Sequence, residues 1–320
     1  MTPSALRLRK AAALLWLSAG IPTAAWSISS TPGGLTLQQP LGARATAMGQ
    51  GFVAADGGID SIGYNPAGVS TAAHPSLQTA YTRGVVDDSF GSTAYVHPLG
   101  PVVLAAGAAY YDAGTVALNL SNGNTGTVRA QQDFYEMLGL GADLGYGFSA
   151  GGLAKAYQFS LGQQAHAQGF AADAGLIYHT PLDGLNLGGS VQNMGPSIKY
   201  ETGGDVLPTT YRAGAAYLLD LERLNLVPRD GANFFTKYLV TADAIFVRQQ
   251  PVEAATGLEM DMPFGKFTHV LVRAGFLWNS DSDGLTIGLG FRERHFILDY
   301  AVGIQKSLGN LNRFSIGYEF

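Results

Sequence analysis

Short runs of alternating polar and apolar residues, repeated from about residue 76 to the end of the chain, constrain this sequence more than any other feature. The last run, Asn312 to Phe320, puts Phe314, Ile316, Tyr318 and Phe320 on one face of a strand. Arg313, Ser315, Gly317 and Glu319 fall on the other. Before it, Phe296, Leu298, Tyr300, Val302 and Ile304 alternate with His295, Asp299, Ala301 and Gly303 among others. Leu285, Ile287, Leu289 and Phe291 alternate with Thr286, Gly288 and Gly290. Strands greasy on one face are an aggregation hazard in water unless a core hides them. In a membrane that face meets lipid, and the closing strand pairs back with the first.

The alternation predicts strands near 76–83, 89–97, 102–111, 133–144, 148–158, 170–179, 185–193, 210–219, 236–246, 252–260, 268–278, 285–291, 295–304 and 312–320. Fourteen is an even number, as a closed up-and-down barrel requires. Connections after even strands read as tight turns, such as Gly145-Tyr146-Gly147 and Arg292-Glu293-Arg294. Those after odd strands (112–132, 159–169, 194–209) read as longer loops rich in Gly, Asn, Thr and Gln. The even connection 220–235 departs from that pattern and implies an extra element, such as a short helix. Pro98-Leu99-Gly100, Pro181-Leu182-Asp183-Gly184 and Pro263-Phe264-Gly265 share a turn pattern, in which Pro pre-sets φ and Gly takes a positive one.

Composition points the same way. Charged residues make up 13% of the chain, about half the ~25% of soluble domains. Apolar residues are a normal 47%, yet no helical apolar face emerges, and 43 glycines are scattered throughout. A soluble β-sandwich, the competing fold, would have to hide more apolar strand surface than one core holds.

Arg7, Arg9 and Lys10 followed by the short apolar run Ala11 to Ala19 read as a secretory signal, residues 1–27, with cleavage between Ala25 and Ser27. Its loss takes the formal net charge from −5 to −8. An acidic chain offers nothing to nucleic acid. The absence of cysteine excludes disulfides and thiolate metal sites. Residues 28–75 do not alternate. They read as a periplasmic extension or as a plug inside a barrel formed by 76–320.

Three stretches in that segment are specific. Leu41-Gly42-Ala43-Arg44-Ala45-Thr46-Ala47-Met48-Gly49 leads to Gly51-Phe52-Val53-Ala54-Ala55-Asp56, then Ser61-Ile62-Gly63-Tyr64-Asn65-Pro66-Ala67-Gly68. This run resembles the N-terminal signature of PorV/PorQ-type outer-membrane proteins, relatives of the FadL fatty-acid channels. Gln192-Asn193-Met194-Gly195-Pro196, Leu207-Pro208-Thr209-Thr210-Tyr211-Arg212-Ala213-Gly214 and Leu298-Asp299-Tyr300-Ala301 extend the resemblance. It implies a fourteen-stranded outer-membrane barrel with an N-terminal hatch carrying Arg44, Met48, Gly49, Asp56, Asn65, Pro66, Ala67 and Gly68. The ending, with Tyr318 and Phe320, resembles the signal that such barrels present to their assembly machinery.

Enzyme chemistry finds little support. Gly147-Phe148-Ser149-Ala150-Gly151 matches a nucleophile-elbow pattern but opens a strand rather than a strand-to-helix turn. The six histidines (74, 97, 166, 179, 269, 295) share no metal-like spacing. No catalytic residue, cofactor or metal is expected. Charges within the strands say more: Asp173, Arg212, Asp243, Glu253, Glu259, Arg273 and Asp299 lie opposite the large apolar side chains and should face the lumen. There they form either internal ion pairs, with the hatch joining in, or a selective path.

The resemblance implies first an accessory barrel for protein export, serving a type IX-like secretion apparatus and binding exported proteins. The alternative is a FadL-like channel in the bacterial outer membrane for hydrophobic small molecules such as long-chain fatty acids.

Overall fold

The computed structural model describes residues 32–320 apart from 85–86, 120–124, 163, 201–203, 225, 227–234, 265–266, 281–283 and 306–308. The expected secretory signal and residues 28–31 lie outside the described residues.

Alternation along the chain becomes fourteen strands of one closed antiparallel barrel. The chain first forms β1 (Ser76–Arg83), β2 (Ser89–Leu99) and β3 (Val102–Asp112). A two-stranded hairpin follows, β4 (Thr115–Asn119) with β5 (Thr125–Arg129), outside the barrel. The wall continues with β6 (Gln131–Gly145), β7 (Phe148–Leu161), β8 (Ala165–His179), β9 (Leu185–Met194) and β10 (Thr210–Asp220). It is completed by β11 (Lys237–Val247), β12 (Val252–Phe264), β13 (Thr268–Trp278), β14 (Gly284–Glu293), β15 (Phe296–Gln305) and β16 (Gly309–Glu319). β16 closes on β1, with Ser76 opposite Glu319 and Arg83 opposite Asn312. We call the end holding the C-terminus the lower end and the opposite one the upper.

Two sequence expectations change. The loop expected at 159–169 is mostly strand, because β7 and β8 keep pairing up to Leu161 opposite Ala165. Their outward side chains there, Gln158, Ser160, His166 and Gln168, are polar, which reads as loop composition but suits a wall that rises above the lipid band. Pro98 and Pro263 sit inside β2 and β12, opposite Val103 and His269, rather than at the corners of turns. Gly100 does take the expected positive φ, 69°. In the 220–235 connection, the described part begins with a turn at 221–224.

The two faces of the wall differ sharply. Leu285, Ile287, Leu289 and Phe291 are exposed on the outside, as are Phe314 and Ile316. Inside, Arg273, Asp299 and Arg313 are 1–2% exposed. Among the described residues of the barrel, β8 and β9 pair over a short stretch, Ala172–His179 of β8. A register shift there turns Asn193 into the left-handed region, φ 56°. The Asp173 Oδ1 accepts the displaced Asn193 N–H at 2.8 Å, and Lys155 Nζ binds Asp173 Oδ2 at 2.7 Å.

Because Leu289 sits mid-strand on the outer face, Leu289→Arg should cost about 2–4 kcal/mol in reversible unfolding from lipid bilayers. Leu289→Met should be nearly neutral. Equal stability of the two variants contradicts a lipid-facing wall.

Candidate functional site

Small residues let the N-terminal segment fold without a core of its own. It carries a 3-10 turn at Leu35–Gln38, a short helix α1 (Ala43–Ala47), and 3-10 turns at Gly58–Gly63 and Pro66–Thr71. Met48, Phe52, Val53, Tyr64 and Val69 are buried, packed within the barrel. Asn65 caps the last turn: its Oδ1 accepts the Ala67 N–H at 3.0 Å, and Pro66 stands at the first helical position. Its Nδ2 donates to Val53 O at 2.6 Å and to Leu176 O of β8 at 3.2 Å. The wall must be bare where the segment lies against it. A Cβ on Gly275 would stand 2.1 Å from Gly49 N, and one on Gly151 2.3 Å from Pro66 O.

Charged pairs hold the segment to one side of the lumen. Arg44 Nε and Nη2 each donate to Glu259 of β12 at 2.8 Å, a bidentate pair. Glu259 also accepts Arg273 Nε at 2.6 Å, and Arg273 Nη1 donates to Asp299 at 2.6 Å. Within the segment, Arg44 reaches Asp60 at 3.4 Å. Burial opposes the Arg44 charge, but Glu259 and Asp60 outweigh it and hold the guanidinium above its ordinary value. Nearby, Asp243 Oδ2 accepts the N–H groups of Phe52 and Val53 at 2.7 and 2.9 Å. Arg313 donates to Thr46 at 2.8 Å and to Thr82. The opposite side is apolar, where Leu37, Ile62 and Val69 pack against Val96, Tyr135, Met137 and Phe159.

Two cavities flank the segment. The upper, about 420 Å3, lies between Gln38, Gly49 and Gln50 and the upper ends of β10 to β16, with Arg212 and Glu253 in its wall. The lower, about 370 Å3, is bounded by Arg44, Asp56, Asn186, Glu259 and Arg292. Between them runs a stack of alternating charge and ring. Arg44 Cζ lies 5.3 Å from the Phe52 ring centroid, the Phe52 and Tyr64 centroids are 5.7 Å apart, and Arg212 Cζ lies 5.2 Å from Tyr64. These are cation–π distances. Burial pushes the Tyr64 hydroxyl up to about 12. The stack therefore runs from Arg44, which lines the lower cavity, to Arg212, which lines the upper.

The residues singled out from sequence fall into several environments. Arg44, Glu259, Arg273 and Asp299 form the charged chain, while Met48, Gly49, Asn65, Pro66, Ala67 and Gly68 make the packed middle of the segment. Asp56 is half exposed beside Asn186 and His179 in the lower cavity. Arg212 and Glu253 face the upper cavity, and Asp173 is committed to the β8–β9 irregularity. Tyr318 and Phe320 stand away from all of these at the lower rim, ring centroids 5.0 Å apart. Sequence reading missed Lys155, Asp133 and Arg313 as interior charges. Lys155 and Arg313 carry the inward parity of their strands. Asp133, hydrogen-bonded to Thr36 of the segment, sits where β6 was expected only to begin.

The architecture matches solved channels. The Pseudomonas putida toluene transporter TodX superposes with a TM-score of 0.59 at 11% identity, over 88% of this chain and 99% of that one. The CymD monoaromatic hydrocarbon channel gives 0.56 at 11% identity, over 88% and 97%. A Pseudomonas aeruginosa FadL homologue gives 0.53 at 10% identity, over 88% and 99%. The shared feature is the fold. No protein-family profile matches the chain, and no curated protein matches it in sequence.

Arg273 is the described ion-pair partner of Asp299, so its removal strands that carboxylate. Arg273→Ala should destabilise the barrel by about 3–5 kcal/mol in thermal or denaturant unfolding. Combined with Asp299→Ala it should lose measurably less than the sum of the two single variants. Gly275→Val should instead displace the segment, and limited trypsin digestion should then cut after Arg44 in the still-folded barrel. Resistance equal to the parent protein contradicts the packing.

Proposed function

We propose that this protein is a FadL-like channel for hydrophobic small molecules in the bacterial outer membrane, with residues 28–75 as its gate. One observation carries the reading: two cavities flank a segment that is not part of the wall, and its Arg44, Phe52 and Tyr64 stack against Arg212 of β10 between them. A channel needs such compartments, and a barrel serving only as a scaffold does not. The solved channels of this fold, named for toluene and monoaromatic hydrocarbons, support it. The export-accessory reading drawn from the PorV/PorQ resemblance has no support among these comparisons. The signal at 1–27 would direct export, and Tyr318 and Phe320 would be presented to the assembly machinery.

The lumen modifies what such a channel passes. Arg212 in the upper cavity and Arg292 in the lower are not engaged in ion pairs with described residues, so the route is not uniformly greasy. It suits amphiphiles better than pure hydrocarbons. Calorimetric titration of the intact protein with a long-chain fatty acid and with toluene tests this. Saturable binding that weakens when Phe52 is changed to Ala is expected. Deleting Gly42 to Gly68 should open a steady ion conductance in planar bilayers. Binding of neither ligand, or an unchanged conductance, contradicts the proposal.

A further inference from the structure

The Gly147-Phe148-Ser149-Ala150-Gly151 motif lies on a strand, and spacing alone offers it no partners. The barrel supplies them. Ser149 Oγ, near the start of β7, lies 3.3 Å from Nε2 of His179 at the end of β8. His179 Nδ1 lies 3.1 Å from Oδ1 of Asn186, at the start of β9. Asn186 Nδ2 donates to Asp56 Oδ2 of the N-terminal segment at 3.0 Å, and Asp56 Oδ1 is 3.7 Å from His179 Nδ1.

The order of donors and acceptors fixes the proton. An ionised carboxylate only accepts, so Asn186 turns its NH2 to Asp56 and its carbonyl oxygen to His179. That oxygen accepts too, so His179 carries its proton on Nδ1. The Nε2 lone pair is then left facing the Ser149 hydroxyl, the tautomer a general base requires. The constellation is recognised by geometry and role, not by sequence order. Asp56 and Asn186 line the lower cavity of about 370 Å3, and His179 and Ser149 stand next to them, outside its lining. Ser149 is 2% exposed, whereas a third of the His179 side chain, 33%, is open. Only a small reagent passing His179 reaches the hydroxyl.

We propose that Ser149 is a nucleophile toward small carboxylic esters entering the lower cavity, with His179 as its base and Asn186 and Asp56 as positioning residues. Ser149 Oγ bonds to the ester carbonyl carbon while its proton passes to His179 Nε2. The carbon–oxygen ester bond breaks, and the leaving alkoxide takes that proton as an alcohol. Water, deprotonated by Nε2, attacks the acyl-serine, the carboxylic acid departs and Ser149 regains its proton.

The test treats the intact barrel, its folding checked by a heat-dependent shift on a gel, with diisopropyl fluorophosphate and maps the product by mass spectrometry. One phosphoryl adduct, on Ser149, is expected, and none in Ser149→Ala. His179→Gln should slow labelling by about 100-fold or more. Asn186→Asp should retain labelling and Asn186→Leu should slow it, all in barrels that still shift on heating. Hydrolysis of p-nitrophenyl butyrate should disappear with Ser149→Ala. A folded barrel that takes no adduct on Ser149, or labels as fast without His179, overturns the proposal, because either result leaves Ser149 without an activating base. These readouts are independent of ligand flux, so channel function and ester cleavage stand or fall separately.

Discussion

A charge taken out of water is costly unless it is paired, and Arg44 finds its carboxylate in the barrel wall. Arg44 donates twice to Glu259, which also holds Arg273, which in turn holds Asp299. Three strands and the N-terminal segment are thereby tied by one run of charge. Losing Arg273 leaves Asp299 buried without its described partner, at a cost of several kcal/mol. The rest of the interior follows from this seat. α1 stands against β13 to β16, Asp243 receives the next turn of backbone, and Phe52 and Tyr64 are carried into the middle of the lumen.

The seat also explains the asymmetry of the interior. Where polar groups of the segment meet β11 to β16, hydrogen bonds set its position. Where Leu37, Ile62 and Val69 meet β2 to β8, apolar contact is joined by hydrogen bonds from Thr36 to Asp133, Ser92 to Leu41 O and Asn65 to Leu176 O. The bidentate Arg44–Glu259 pair stands on the polar side. That makes the polar side the control point of the proposed gate, and Arg212 and Arg44 stand at the two faces a ligand meets.

The wall was legible because period-two alternation survives wherever one face meets lipid. All fourteen barrel strands lie near the places the alternation indicates, and Phe314 and Ile316 point outward while Arg313 points inward. Alternation failed where the outside is wet. Gln158, Ser160, His166 and Gln168 on β7 and β8 read as loop, and the β4–β5 hairpin lay hidden inside a polar connection. The interior site was legible only in part. Inward parity placed Asp243, Glu259, Arg273 and Asp299 in the lumen, but parity cannot say which charge meets which. Arg44 finds Glu259 across 215 positions of sequence. Ser149, His179 and Asn186 were opaque for the same reason: they meet across strand registers that one-dimensional spacing does not contain.

The account turns on the N-terminal segment standing across the route. Ser315 Oγ of β16 accepts the Ala43 N–H of α1 at 3.0 Å, so cysteines at these two positions, in a chain that has none, stand within reach of a short reducible bis-methanethiosulfonate cross-linker. The decisive measurement is uptake of a radiolabelled long-chain fatty acid by cells lacking their own channel for it. These cells would carry the Ala43→Cys/Ser315→Cys protein, cross-linked or reduced. Uptake that is blocked by cross-linking and restored by reductant is the predicted result. Equal uptake in the two states contradicts the claim, because it means that cargo crosses without moving the segment.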